Sequence, residues 1–416
     1  MSIVKTDHIR MKQLILMLSF LFPPIVTLAQ EPPHAFETTG RKFSTMSNYS
    51  EGRARVRIYG TDGYGFLDTQ GNVVIQPQFE DAGRFRNGLA TVCKTIDGHL
   101  LYGFIDTAGN LRIPYQFEDV EEFTDYHAAV NKKGTWQYID INGNTVLGPA
   151  FVEADTLVDK TDKNAPKEIK AWPRKFHNGL LPVKKDKRYG YVDTSGRWVI
   201  PPIYAAAREF SDGVALVAQL ATAGDTAKEN DELSRLYKSL PDDSPKLIWS
   251  VIDGSGKVLF TTDAERIDDY TDGLALFYKN DAWGFMNKKG MPVFMPQFES
   301  EPFVFASGLS AVQVNGKAAG NKDGQLYILD TTGAIISKVP LCDTAGNCIY
   351  DSQLTFSEGL IAVKKAGNTD AGWGFMDAAG KMVIPAQFNE VTPFAEGRSI
   401  AVTREGDLIV IKKPEH

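Results

Sequence analysis

Asp or Asn followed three residues later by Gly recurs along this chain of 416 residues, at Asp68 and Gly71, Asp106 and Gly109, Asp140 and Gly143, Asp193 and Gly196, Asp253 and Gly256, Asn287 and Gly290, Asp330 and Gly333, and Asp377 and Gly380. Carboxylates at matched places could line one surface and hold a metal ion, or pair across repeats to hydrolyse a glycan. Their local spacing answers a simpler need. An Asp or Asn side chain bonds to its own backbone and opens a type I turn, and a glycine three residues on closes it at positive φ. Each copy supplies one carboxylate, and no run of alternating acids follows as a calcium loop demands. The acids therefore read as turn formers. His34 and His416 lie near the ends, and His99, His127 and His177 fall at unmatched places, a poor basis for a zinc site. No Gly-x-Gly-x-x-Gly, Gly-Lys-Ser/Thr or Gly-x-Ser-x-Gly phrase offers a phosphate cradle or a nucleophile elbow. The expectation is a chain without catalytic, metal or cofactor-binding residues.

Such turns need strands to hold them. The phrase Tyr64-Gly-Phe-Leu-Asp68-Thr-Gln-Gly71-Asn-Val-Val-Ile-Gln-Pro-Gln-Phe79 returns almost whole at Tyr102 to Phe117, and its opening returns at Trp136, Tyr189, Trp249, Trp283, Leu326 and Trp373, eight copies in all. Period two places Tyr64, Phe66 and Asp68 on one face and Gly65 and Leu67 on the other, so both faces are partly buried. The apolar run after each turn, such as Val73 to Ile75 or Trp198 to Ile200, reads as a buried strand stopped by Pro77, Pro114, Pro201, Pro296 or Pro385. Between copies stands a second phrase, an aromatic with Gly three residues on and a short apolar strand: Tyr49 and Gly52, Phe85 and Gly88, Phe176 and Gly179, Phe210 and Gly213, Tyr270 and Gly273, Phe305 and Gly308, Phe356 and Gly359, Phe394 and Gly397. In one copy Phe123 is followed by Tyr126 where Gly is expected. Each unit is thus an antiparallel meander of short strands.

Trp/Tyr-Gly-Phe-Ile-Asp-x-x-Gly, followed by Phe-x-x-Gly-Leu-Ala-Val, resembles the bacterial WG-repeat (KWG) family from about residue 43 to 412, with departures at Gln137, Ser250 and Tyr327. The resemblance implies a repeated, β-rich, non-catalytic module in exported or envelope-associated proteins, and it brings no site residues with it. The fold class expected is all-β, a tandem array of about eight meanders. Both ends look like whole units, and the family's varied repeat number suits an array that need not close, so the array is expected to be open or superhelical, with a closed propeller-like ring as the alternative. The turn residues recur 34 to 60 positions apart, and the long intervals hold inserts at 155–172 and 222–244. In the second, Leu233, Leu236, Tyr237 and Leu240 fall at helical spacing and predict one short amphipathic helix. Residues 30–42 are expected as a lead-in and 413–416 as a tail.

Lys5, Arg10 and Lys12 precede an apolar run from Leu14 to Leu28 and small Ala29, the layout of a signal peptide over residues 1–29, whether translation starts at Met1 or Met11. Its removal shifts the formal charge from -7 to -9, through loss of three basic residues and Asp7. That sign, with no Lys/Arg block, argues against a nucleic-acid partner. No cysteine follows the apolar run, so a periplasmic or secreted protein is expected rather than a lipoprotein, with no transmembrane span in the mature chain. Of three cysteines, Cys342 and Cys348 are close enough to bridge a turn in an oxidising compartment, and Cys93 reads as a small apolar strand residue. A ladder of repeat Trp rings could stack on sugars, but packing between repeats explains it as well. Trp172, inside an insert, is the better candidate contact. The reading is an exported, non-enzymatic scaffold for a protein or glycan partner in the envelope, with a glycan-cleaving β-repeat enzyme or a passive spacer as alternatives.

Overall fold

The computed structural model describes residues 37–58, 60–151, 156–157, 169–170, 173–220, 247–314, 324–342, 348–366 and 372–414, all within one compact unit, Phe36–His416. Strand β1 (Glu37–Met46) leads into β2 (Ala54–Ile58), β3 (Tyr64–Leu67) and β4 (Val73–Phe79), an antiparallel meander. The unit repeats over 81–117, 119–147, 180–204, 206–261, 266–298, 309–340 and 348–388, and a last one is built from Glu390–Val391, Arg398–Val402 and Asp407–Lys412. These nine sheets are the blades of a propeller, numbered here in chain order. The order is an inner strand, a second, a third and an outer one, with β1 as the outer strand of blade 9 and no inner strand among the described residues of blades 4 and 7.

The ring is closed, which corrects the expectation of an open or superhelical array of about eight repeats. β1 serves two blades. Its residues Glu37 and Thr38 pair with Val410 and Ile409 as the outer strand of blade 9, and Phe43, Thr45 and Met46 pair with Ile58, Arg57 and Val56 as the inner strand of blade 1. The ninth blade is therefore split between the chain ends, so that neither part stands out in the sequence as a broken unit. Residues 37–42, assigned to the lead-in, are this closing strand. The helix expected within 222–244 lies outside the described residues, as does most of the 155–172 insert, of which Thr156–Leu157 pairs with Ile169–Lys170.

Apolar side chains from facing blades form nine clusters, one for each seam. The two sequence phrases meet there. Phe85 of blade 2 packs edge-on against Phe66 of blade 1 with ring centroids 4.9 Å apart, and Phe123 on Phe104, Phe210 on Tyr191, Phe305 on Phe285 and Phe394 on Phe375 repeat the contact at 4.7–4.9 Å. Each such ring, removed from water, contributes about 1.5–3 kcal/mol, but only when the next blade is in place. The closing seam is built the same way, with Tyr49, Ala54, Val56 and Leu67 against Ile400, Leu408 and Val410.

The glycine after the repeat aromatic has its own cause. In blade 6, Trp283 pairs with Phe298 and Phe285 with Phe294, so the outer strand spends four residues where the third spends two. The surplus arches over Gly284: a Cβ there would stand 2.5 Å from Phe294 O and 2.9 Å from Pro296 N. Pro296 fits this bulge because its nitrogen has no proton to pair. The same bulge covers Gly65, Gly103, Gly190 and Gly374. Where Ser250 and Tyr327 replace the glycine, the register runs on without it (Ser250 with Thr261, Val251 with Phe260; Tyr327 with Lys338, Ile328 with Ser337). In blade 3, where Gln137 stands, the outer strand is cut to Thr145–Leu147 and a 3-10 turn, Pro149–Phe151. Gly284→Ala is expected to cost about 1–3 kcal/mol, since backbone must move, and Ser250→Ala less than about 1 kcal/mol. Denaturant melts of the two variants check this ordering, and equal losses would contradict it.

Candidate functional site at the inner mouth of the ring

The recurring acids are held inside their own turns. Asp68 Oδ1 accepts the N–H groups of Gln70 at 2.9 Å and Asn72 at 2.8 Å, while Gly71, at φ 84°, donates to the Asp68 carbonyl at 3.0 Å. The same pattern places Asp106 with Gly109, Asp140 with Gly143, Asp193 with Gly196, Asp253 with Gly256, Asn287 with Gly290, Asp330 with Gly333 and Asp377 with Gly380. Hydroxyl bonds from Ser195, Ser255 and Thr332 are the chief reason that Asp193, Asp253 and Asp330 sit below the usual carboxylate range. For Asp106 and Asp140, desolvation pushes up, but hydrogen bonds from Asn110 and Asn144 outweigh it and the net shift is down. There is one such turn in each of blades 1 to 8, so the fold spreads these side chains round the ring instead of converging them. Among the described residues no group of three His, Cys, Asp or Glu could hold a metal ion.

The repeat aromatics are committed too. Trp249 and Trp283 are buried, with Arg208 5.2 Å above the first ring and Arg266 4.9 Å above the second; Arg55 lies over Tyr64, Lys184 over Tyr189, Lys338 over Tyr327 and Lys364 over Trp373 at 4.7–5.9 Å. Cations occupy the faces that a stacked sugar would need. Trp172 lies outside the described residues. Cys93 is free and buried, and burial pushes its thiol up to about 11, which leaves it a packing residue. Cys342 is disulfide-bonded, while the side chain of Cys348 lies outside the described set.

A second set of turns, between inner and second strands, forms a feature that the turn-acid pattern did not disclose. Nine residues there hold positive φ: Glu51, Asn87, Asp125, Asn178, Asp212, Asp272, Ser307, Glu358 and Glu396. A two-residue hairpin turn whose twist matches its strands requires this backbone at both central positions. Every one of the nine carries a side-chain oxygen, and at eight of them that oxygen accepts an N–H from the neighbouring blade. Gly88 N–H donates to Glu51 at 2.7 Å, Tyr126 to Asn87 at 3.0 Å, Gly179 to Asp125 at 2.8 Å, Gly273 to Asp212 at 2.5 Å, and Gly308 to Asp272 at 2.7 Å. Glu358 N–H donates to Ser307 Oγ at 3.0 Å, Gly397 to Glu358 at 3.0 Å, and Gly52 to Glu396 at 2.7 Å, which carries the circle across the chain ends. At the remaining step the Asn178 amide lies beside Gly213. Turns that touch in succession round the ring sit at its small radius, so this face is the inner mouth. The signal in the sequence was the oxygen-bearing residue before each Phe-x-x-Gly glycine.

A model of the WG containing repeat matches residues 64–95, 102–136, 189–219, 283–317 and 373–408. The chain contains five WG repeats. The five matches begin at the five third strands whose glycine lies under a bulged outer strand. No curated protein is significantly similar to this WG-repeat chain. Among solved structures, it is similar to the Pyrococcus horikoshii acylaminoacyl peptidase at 10% identity and TM-score 0.35, over 78% of this chain and 48% of that one. It is similar to the tricorn protease at 10% identity and TM-score 0.29, over 87% and 41%, and to a quinonprotein alcohol dehydrogenase-like protein from Bacteroides thetaiotaomicron at 9% and 0.30, over 91% and 78%. The chain spans about half the length of the acylaminoacyl peptidase it matches. Likeness at this level carries no inference about activity.

Beside the mouth of the WG-repeat ring, the segments that lead into the second strands of blades 3 to 7 carry ion pairs across the seams. Lys175 Nζ lies 2.8 Å from Glu121, Arg208 3.5 Å from Asp269, Arg266 3.1 Å from Glu301, and His177 Nε2 3.3 Å from Glu209 Oε2. The Glu209 hydrogen bond is the main cause that raises the His177 pKa; desolvation opposes it, and Asp125 and Lys175 pull in opposite directions. Desolvation pushes Glu209 up, but the His177 bond and the Lys175 N–H at 2.7 Å carry it below its usual value. The His177 contribution to stability is complete below its unfolded pKa of about 6.5 and fades as pH rises through the higher folded value. The Glu209 contribution is present above its unfolded pKa and is lost as pH falls through the lowered one. An NMR titration should find the His177 ring above the ordinary imidazole value in the wild type and back within the ordinary range in Glu209→Gln. An identical midpoint in both proteins would contradict the pairing.

Proposed function

We propose that this WG-repeat protein is an exported, non-enzymatic scaffold that binds a protein or glycan partner through one face of its propeller. The observation that carries this reading is the inequality of the two faces. In a meander, turns after the inner and third strands lie on one face, and hairpins after the second strand, with the crossings to the next blade, lie on the other. The first face is built of short turns tied to each other. The two longest connections leave from the second, Leu147 to Leu180 and Leu220 to Leu247, as does the longer hairpin from Val314 to Gln325. Connections set on a rigid frame are where proteins place recognition.

Export is supported by the basic residues and apolar run ahead of Ala29 and by the disulfide at Cys342, a bond of oxidising compartments. Absence of catalysis is supported by the carboxyl groups. Every resolved carboxyl shift among the described residues is downward, at Asp106, Asp140, Asp193, Glu209, Asp253, Asp330 and Glu405. A glycan-cleaving pair needs one carboxyl raised to act as acid. The test is saturable binding of residues 30–416 to a glycan array and to purified envelope proteins, compared with Trp172→Ala and with a chain whose residues 221–246 are replaced by Asn-Gly. Loss of binding at an unchanged melting temperature is expected. Binding that both variants retain in full would refute the assignment to this face.

A further inference from the structure

We propose that the seam between blades 2 and 3, at the inner mouth and opposite the loop-bearing face, is a separate binding site for a neutral saccharide ring. Two departures from the repeat coincide there. The first is Tyr126, which takes the place glycine holds in the other eight turns and lies at φ 63°. A bulky side chain in the left-handed region is strained, and glycine would fit without cost. The ring gains little from burial in exchange, because Tyr126 is 60% exposed and is the one aromatic among the large exposed apolar side chains of the described residues. Its N–H is fixed by Asn87 at 3.0 Å, so the strained backbone holds the side chain at a set point on the mouth.

The second departure is on the other side of that bond. Arg86, next to Asn87, stands where Ser50 and Ser211 donate their hydroxyls to the next blade at 2.7 Å. Arg84 and Arg86 share one carboxylate, Glu122, at 3.8 and 3.9 Å, beyond hydrogen-bond reach, and both side chains are more than a third exposed. Neither guanidinium makes a side-chain hydrogen bond among the described residues. Two arginines with planar forks of N–H donors and an exposed tyrosine thus stand on either side of the one bond from the Tyr126 N–H to Asn87 Oδ1. An aromatic face accepts the C–H side of a sugar, and the forks bond its hydroxyls.

Charge decides between a neutral and an anionic occupant. Glu122 receives the Arg84 N–H at 3.0 Å, Asp125 that of Gly179 at 2.8 Å, and Glu51 that of Gly88 at 2.7 Å. His127 Nδ1 lies 2.6 Å from the Asp125 carbonyl, to which it donates. Two arginines against three carboxylates leave no surplus of positive charge for an anion. A hydroxyl-rich uncharged ring fits both the donors and the balance.

The full mature chain is to be titrated with cellohexaose, maltohexaose and chitohexaose by calorimetry, alongside polyglutamate and dextran sulfate as anionic probes. Saturable binding of at least one neutral oligosaccharide is expected, little changed by salt, and weakened roughly tenfold by Tyr126→Gly and by Arg86→Lys, which keeps the charge and loses the fork. Tyr126→Gly should melt at the same temperature or higher, an outcome that separates a ligand contact from a structural one. The chain with residues 221–246 replaced should bind these sugars as the wild type does, so failure of the loop-face assignment leaves this one standing. No saturable binding to any of the three sugars, binding that survives both substitutions, or binding to the anionic probes alone would overturn it.

Discussion

A blade of this propeller cannot hide its apolar face by itself, and the interaction on which everything else depends is the contact with the next blade. At each seam an aromatic ring from one repeat lies against the third strand of its neighbour, and near the axis a side-chain oxygen takes the neighbour's backbone N–H. The first contribution is large and undirected, the second small and directional. Together they fix both the distance and the angle between blades. A repeat joined only by burial could slide, whereas one whose turn must meet a given amide has one orientation, and nine identical rotations close the circle.

The positive-φ turns show why the oxygen-bearing residues are tolerated where glycine would be easier. Glu51, Glu358 and Glu396 bear a left-handed backbone at about 1–2 kcal/mol each, and a charge-assisted bond to the next turn offsets that cost. The acids of the other turns act within one blade and set its third and outer strands. Two classes of carboxylate thus hold backbone in place. The faces follow from this division of labour: one is occupied by its own bonding, the other is free to vary.

Local features were legible in the sequence because they are caused locally. Asp68 to Gly71 as a turn and Phe85 as a core ring depend on a few neighbouring residues, and the structure contains both. The apolar run Val73 to Ile75 is a strand, but Ile75 alone of the three is buried while Val74 is 42% exposed, and the strand bulges at Pro77 and continues to Phe79 where a stop was expected. The departures at Gln137, Ser250 and Tyr327 also had a local meaning, a missing bulge, visible only once the outer strand's register was known. Closure was not legible. β1 follows the same alternation whether it ends a ring or begins an open array, and its partner, Asp407–Lys412, lies at the other end of the chain. The mouth ring was readable in retrospect from nine oxygen-bearing residues in register, and Tyr126 stood out as an exception before its surroundings were known. Trp172 and the insert expected to hold a helix fall outside the described residues.

Closure is the claim most open to direct contradiction, and the amide of Gly52 reports on it. Its N–H is held by Glu396 from the far end of the chain, whereas Gly88 and Gly179 are held by adjoining blades. Hydrogen exchange followed residue by residue by NMR should show Gly52 protected to the same order as Gly88 and Gly179, and Glu396→Ala should release Gly52 while leaving the other two slow. Free exchange at Gly52 in the wild type, with Gly88 and Gly179 protected, would mean that the blades stack in an open array and that the ring does not exist in solution.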